Sequence, residues 1–269
     1  MGPIKGLKSL LALFTIIPIK EDILTEETKK YLPLTSVIGV LYGILAGLII
    51  SGLNFVLPPF PSAAIMLLTI YLLNGFLHMD GLIDLGDGIT AFGDREKKLS
   101  AMKDPKVGAG GVTLALLVTL ATVSLYSTLS THHTIPYIPP FLFVFTVEIL
   151  CKNSLLACAT FGKPHQSGIG KLFVEGMQKK KLLTSTLITL AFLLTAIFLY
   201  THLLKLSIPL QIKIFLLTSP IISILIGATI AYTANKSFGC VTGDVLGASH
   251  EITRLIILAL ITVVTKTYA

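Results

Sequence analysis

The chain has 269 residues, of which 53% are hydrophobic and 13% charged, with a formal net charge of +7. Soluble domains carry about 25% charged residues, so this balance excludes an ordinary soluble protein and defines a membrane-embedded one. The basic excess is then a matter of topology first, and we expect no nucleic-acid partner.

In chain order, Lys5 and Lys8 precede a short apolar stretch interrupted by Pro18. No small-residue cleavage site follows, and Glu21, Asp22, Glu26 and Glu27 come next, so a secretory signal is rejected. Leu7, Leu10, Leu11 and Phe14 share one stripe, which predicts a short helix lying in the membrane interface. Apolar runs predict spans at about 34–57, 62–79, 112–131, 140–159, 183–204, 214–233 and 252–265, each near the roughly 20 residues a bilayer requires. Pro58-Pro59-Phe60-Pro61 reads as a tight external turn. The loops are too short for a second folding unit, so the expectation is one all-α domain, 1–269, a polytopic helical bundle of about seven spans plus the interfacial helix. Cys151, Cys158 and Cys240 are read as small packing residues. Seventeen Lys and Arg fall in the N-terminal segment and alternate loops, against Lys205, Lys213 and Lys266 on the other side. By the positive-inside bias, the N-terminus and the loops around Asp80 are expected in the cytoplasm of a multi-pass cell-membrane protein, in contact with membrane lipid.

The chemistry is expected at the end of the second run. Asp80, Asp84 and Asp87 are spaced by four and three residues in His78-Met79-Asp80-Gly81-Leu82-Ile83-Asp84-Leu85-Gly86-Asp87-Gly88 and share one helix face. Carboxylates about 6 Å apart repel by roughly 2–3 kcal/mol per pair at an effective dielectric of about 20. Such a row calls for cations, and hard oxygen donors suit Mg²⁺, or Mn²⁺, better than Zn²⁺. The alternative is pairing with loop lysines, although carboxylates at membrane depth are costly enough to be seldom accidental. Gly81 and Gly88 weaken the helix, which a close ligand would justify. His78 fits either a site contact or an interfacial histidine bonded to a backbone carbonyl.

Three more segments belong on the same side. Asp94, Arg95, Lys97, Lys98, Lys103, Asp104 and Lys106 lead to Gly108-Ala109-Gly110-Gly111, where glycines and a helix start offer amides to an anion. The lysines also suit a solvated positive loop. Thr242-Gly243-Asp244-Val245-Leu246-Gly247-Ala248 precedes Glu251 and Arg254. Asp244 and Glu251 can share a helix face, Gly243 and Gly247 suit close packing, and Asp244 alone suits a helix cap. Gly162 to Lys171 reads as a mobile loop whose Lys163 and Lys171 suit a phosphate or the topology rule equally. Lys179-Lys180-Lys181 reads as an orientation or lipid signal. Inside the fourth span, Glu148 and Lys152 stand in the order for an i, i+4 pair, either structural or lining a substrate cavity with Asn153.

Taken together, these residues resemble the cobalamin synthase family, the integral-membrane adenosylcobinamide-GDP ribazoletransferases. Phe14-Thr15-Ile16-Ile17-Pro18 is similar to that family's Phe-x-Thr-Arg-Leu-Pro, and His78 to Gly88 to its His-x-Asp-Gly-x-x-Asp-x-x-Asp-Gly core. Met102 to Gly111 is similar to Met-Arg-Asp-Ser-Arg-x-Gly-x-x-Gly, and Thr242 to Ala248 with Glu251 to Thr-Gly-Asp-Thr-Leu-Gly-Ala. Ile16, Lys103 and Lys152 stand where the family has arginine, which bears on substrate grip more than on reaction type. The resemblance implies transfer of adenosylcobinamide phosphate from adenosylcobinamide-GDP to α-ribazole or its 5′-phosphate, with release of GMP, in cobalamin nucleotide-loop assembly. It implies one or two Mg²⁺ ions on Asp80, Asp84 and Asp87, with Asp104 as a further ligand, and Asp87 or Asp104 as proton acceptor. Arg95, Lys103, Lys106 and the Gly108, Gly110 and Gly111 amides would take the diphosphate. Asp244 and Glu251, with Thr242 and Gly243, would complete the metal shell or bind a ribose hydroxyl. His78, Lys152 and Lys163 are the remaining substrate-binding candidates. The partners implied are corrinoid and nucleotide substrates, and a homo-oligomer is compatible with the chain. One rival is a CDP-alcohol phosphotransferase, whose Asp-Gly-x-x-Ala-Arg opening is missing because Ile83-Asp84 stands in place of Ala-Arg. The other is a polytopic cation transporter, for which the midplane site and repeated halves are missing.

Overall fold

The computed structural model describes residues 2–21, 25–131 and 140–266. Eleven α-helices are described there: α1 (Pro3–Phe14), α2 (Thr35–Leu53), α3 (Pro59–Leu73), α4 (Leu77–Thr90), α5 (Arg95–Met102), α6 (Ala109–Thr131), α7 (Pro140–Phe161), α8 (Ile169–Gly176), α9 (Lys179–Phe198), α10 (Leu210–Ser237) and α11 (Gly243–Lys266). A 3-10 helix, Glu26–Leu34, runs straight into α2, and a π-helical turn, Leu199–Leu203, extends α9. No strand occurs among the described residues. One isolated bridge joins Pro164 to Val241, and the Val241 amide donates to the Lys163 carbonyl at 2.8 Å.

Among the described residues, six helices are long and apolar enough to cross a bilayer, and α3 with α4 makes a seventh only as a pair bent by 94°. The expected span at 62–79 is therefore broken. Gly75 and Phe76 both have φ of +60°, a left-handed conformation that stops a right-handed helix. The 15 residues of α3 rise only about 22 Å, less than the roughly 30 Å apolar core, and the aspartates sit on the separate, sharply turned α4. The last span is longer than expected, because α11 begins at Gly243 and runs without a break through the Asp244 and Glu251 segment, whose helical reading it matches.

The axis of the bundle is α7, buried from Leu142 to Ala159. It packs against α2, α10 and α11, and α2 approaches through small residues: a Cβ on Gly43 would lie 2.9 Å from Phe145 Cα. Proline opens α1, and α1 buries Leu10 and Phe14. It is tied down where the Tyr42 hydroxyl donates to the Phe14 carbonyl and the Ile16 amide to the Leu73 carbonyl at 2.8 Å. This places Phe14 beside the α3–α4 break, against the ring of His78.

Candidate active site

The approach of α4 to its neighbours is set by glycine. A Cβ on Gly81 would lie 2.9 Å from Asp244 Cα, and one on Gly86 2.8 Å from Gly111 Cα. These glycines bring backbones together, α4 to the start of α11 and α4 to the start of α6; of Gly81 and Gly88, for which a ligand was the expected reason, Gly88 instead faces Met102, whose Sδ would lie 3.0 Å from a Cβ there. The expected packing pair on α11 divides in the same way. A Cβ on Gly247 would lie 3.2 Å from His78 Cα, so Gly247 packs against α4, whereas Gly243 is approached by α8, where a Cβ on Gly170 would lie 3.0 Å from Gly243 Cα.

The four expected segments do converge, but the aspartate row is split. Asp80, Lys103, His165, Thr242, Gly243 and Asp244 line one cavity of about 490 Å³. Asp87, Asp104, Lys106, Gly108 and Gly110 line a second, wider opening of about 800 Å³. Half-buried Asp84 feels the negative charges of Asp244, Asp80 and Asp87, so Asp244, brought in by α11, belongs to the carboxylate cluster. Opposite it, Lys103 Nζ stands 3.4 Å from His165 Nε2. His165 is a cavity residue absent from those expected from the sequence, because nothing local in its glycine-rich loop distinguishes it.

Asp87 has another occupation. Its two carboxylate oxygens accept the Gly108 amide at 2.8 Å and the Gly111 amide at 2.7 Å, capping the start of α6. Of the three amides expected to receive a diphosphate, those of Gly108 and Gly111 are therefore already used. Asp104 accepts the Lys106 amide at 2.9 Å in a local turn. Arg95 Nε donates to the Lys236 carbonyl at 3.2 Å, pinning α5 to the end of α10. Lys163 contributes its backbone, with its amide on Asn235 Oδ1 at 2.9 Å.

Beneath the cavity lies a charged network that contradicts two expectations. Glu148 pairs with Arg254 rather than with Lys152: Nε to Oε1 is 2.9 Å and Nη2 to Oε2 is 3.2 Å. Glu251 does not accompany Asp244. It is 1% exposed, accepts from Arg254 Nη1 and accepts the Tyr71 hydroxyl at 2.9 Å. The i, i+4 spacing of Glu148 and Lys152 yields to a bidentate guanidinium from another helix, the better partner for a buried carboxylate. Arg254, counted above among the loop cations, is fully buried, which lowers that side's count to sixteen. Lys152 Nζ lies 2.7 Å from His78 Nε2, so His78 is bonded to a side chain and not to a backbone carbonyl, and it also lines the cavity.

Among the described residues, no three His, Cys, Asp or Glu side chains form a ready chelate. The donor chemistry of Asp80, Asp84 and Asp244 nonetheless fits a hard divalent cation. All three offer carboxylate oxygens, the field of each bears on another, and none is in an ion pair among the described residues.

The fold and site define a polytopic helical membrane protein with a carboxylate cluster and a basic wall around one cavity. The Cobalamin-5-phosphate synthase family profile matches residues 6–262, and the chain belongs to that family. Among its relatives is an adenosylcobinamide-GDP ribazoletransferase of Methanocella arvoryzae, 29% identical over 94% of this chain and 93% of the relative. Proteins of the same description from Thermococcus gammatolerans and Fusobacterium nucleatum are 31% and 29% identical, over 92% and 97% of this chain and 93% and 98% of their own. No solved structure matches.

Proposed function

We propose that this protein transfers adenosylcobinamide phosphate from adenosylcobinamide-GDP to α-ribazole or its 5′-phosphate, releasing GMP. The family and the relatives' activity support the reaction. The single structural observation that carries its location is the meeting of Asp80 and Asp244 with Lys103 and His165 at one cavity, with Asp84 within the field of both carboxylates.

The chemistry is phosphoryl transfer. A ribose hydroxyl of the acceptor bonds to the phosphorus that carries cobinamide, the bond from that phosphorus to the GMP oxygen breaks, and the hydroxyl proton leaves. Mg²⁺ held by Asp80, Asp84 and Asp244 would neutralise the diphosphate in the transition state. Lys103 and His165 face the charge that gathers on the departing GMP. The proton acceptor is placed in the Asp80, Asp84 and Asp244 cluster, because Asp87 and Asp104 border the other opening and Asp87 is held by amides. Thr242 keeps Asp244 in place through a 3.2 Å hydroxyl bond to its carboxylate. Orientation follows from the cation count, with the cavity mouth cytoplasmic.

The test is GMP release by purified protein given adenosylcobinamide-GDP, α-ribazole and Mg²⁺. We expect stoichiometric GMP and cobalamin, abolished by EDTA. Product from a CDP-activated alcohol, with none from these substrates, would overturn the proposal.

A further inference from the structure

The cavity has two chemically different sides. Asp80, Lys103 and Gly243 are exposed and form its mouth. Its inner wall is apolar and closed: Phe14 is 2% exposed, Leu155 2%, Phe173 2% and Leu246 4%, with the Phe14 and Phe173 rings set edge to face at 6.0 Å. One polar side chain interrupts that wall. His78 is 1% exposed, and its Nδ1 is buried without a hydrogen-bond partner. A buried nitrogen left unpaired is costly, and in a ligand cavity it is a candidate contact to what binds there.

The protonation of that nitrogen follows from the network behind it. Glu148 and Glu251 face a single guanidinium, Arg254, with His250 Nδ1 3.3 Å from Glu251 Oε1, and an ammonium at Lys152 balances the second carboxylate. Lys152 Nζ also sits 4.0 Å from the Phe14 ring centroid and 4.8 Å from that of Tyr42, positions that favour a cation. An ammonium only donates, so His78 Nε2 accepts its hydrogen at 2.7 Å, and the ring hydrogen stands on Nδ1. The inner wall thus presents one N–H donor in an apolar setting. The His250 ring, 4.1 Å away, packs against His78 and limits its rotation.

A ligand matching both sides has an apolar flat group with one hydrogen-bond acceptor at one end and a polar sugar at the other. A cavity of about 490 Å³ lies within the roughly 300–1,000 Å³ typical of small-molecule pockets, and a corrin macrocycle is too bulky to follow into it. We propose that the inner end of this cavity is the subsite for the base of the acceptor nucleoside, with His78 Nδ1–H donating to its unsubstituted ring nitrogen. Lys152 is the positioning residue that holds His78 in that tautomer. This inference rests on the proposed reaction, whose acceptor, α-ribazole, is a benzimidazole riboside of this form, with its ribose directed to the mouth.

The experiment measures equilibrium binding of α-ribazole, and of its indole analogue with the ring nitrogen replaced by CH, to the full chain in nanodiscs. Wild type should prefer α-ribazole by about tenfold, the equivalent of one buried hydrogen bond. His78→Phe should bind both equally, Lys152→Met should lose most of the preference, and Lys152→Arg, which restores the donor, should keep it. Equal binding of the two ligands by wild type overturns the subsite without any variant having to fold. So does a tenfold preference that survives in His78→Phe, or displacement of α-ribazole by GMP alone. Cobalamin formation by wild type under those outcomes would leave the proposed reaction standing, whereas failure to form product would overturn the reaction itself.

Discussion

Each oxygen of the Asp87 carboxylate accepts an amide hydrogen from the start of α6, and a capping side chain of this kind stabilises a protein by about 0.5–2 kcal/mol. Asp87→Ala should therefore lower the thermal unfolding midpoint of the detergent-solubilised protein, and Asp87→Asn, which keeps one acceptor, should lower it less. Equal midpoints for Ala and wild type would remove the capping role. Arg254 offers a larger test. Its replacement by Met strands Glu148 and Glu251, both 1% exposed, and breaking a buried pair costs about 3–5 kcal/mol. Adding Glu148→Gln and Glu251→Gln should recover much of the loss in denaturant titrations; no recovery would argue against charge as its origin. The sequence discloses residue types and helical spacing, so the aspartates stood out. It does not disclose which amides Asp87 meets 21 and 24 residues away, or that Arg254 reaches Glu148 across 106 residues.

The same contrast holds for elements. Hydropathy marked the apolar run through 62–79 but not its break, because a window average is insensitive to the left-handed residues Gly75 and Phe76. Four segments were grouped by topology alone, and glycine contacts explain how they meet: Gly81 admits the α11 backbone and Gly86 admits that of α6. Gly81→Val should push α4 off Asp244 and reduce turnover about a hundredfold, because a misplacement of reacting groups by about 1 Å can be that expensive. Retained membrane insertion and monodispersity would show that the loss is local. Near wild-type turnover would mean that the α4–α11 contact does not position the chemistry.

Across the whole molecule, the bundle keeps its charged network dry around α7 and places the carboxylates at one end, which makes orientation a functional matter. The three native cysteines are buried, so Phe92→Cys, at a site 98% exposed between α4 and α5, reports on sidedness. A membrane-impermeant maleimide should label it in inverted vesicles and not in intact cells; labelling in intact cells would reverse the proposed orientation. We propose that Asp80, Asp84 and Asp244, and not the three-aspartate row, bind the metal. The most direct measurement is Mn²⁺ binding by electron paramagnetic resonance, with GMP release measured alongside, for Asp84→Asn, Asp244→Asn and Asp87→Asn. With this ligand set the first two should lose bound Mn²⁺ and turnover, while Asp87→Asn should keep the ion. Loss of Mn²⁺ in Asp87→Asn with retention in Asp244→Asn would contradict it.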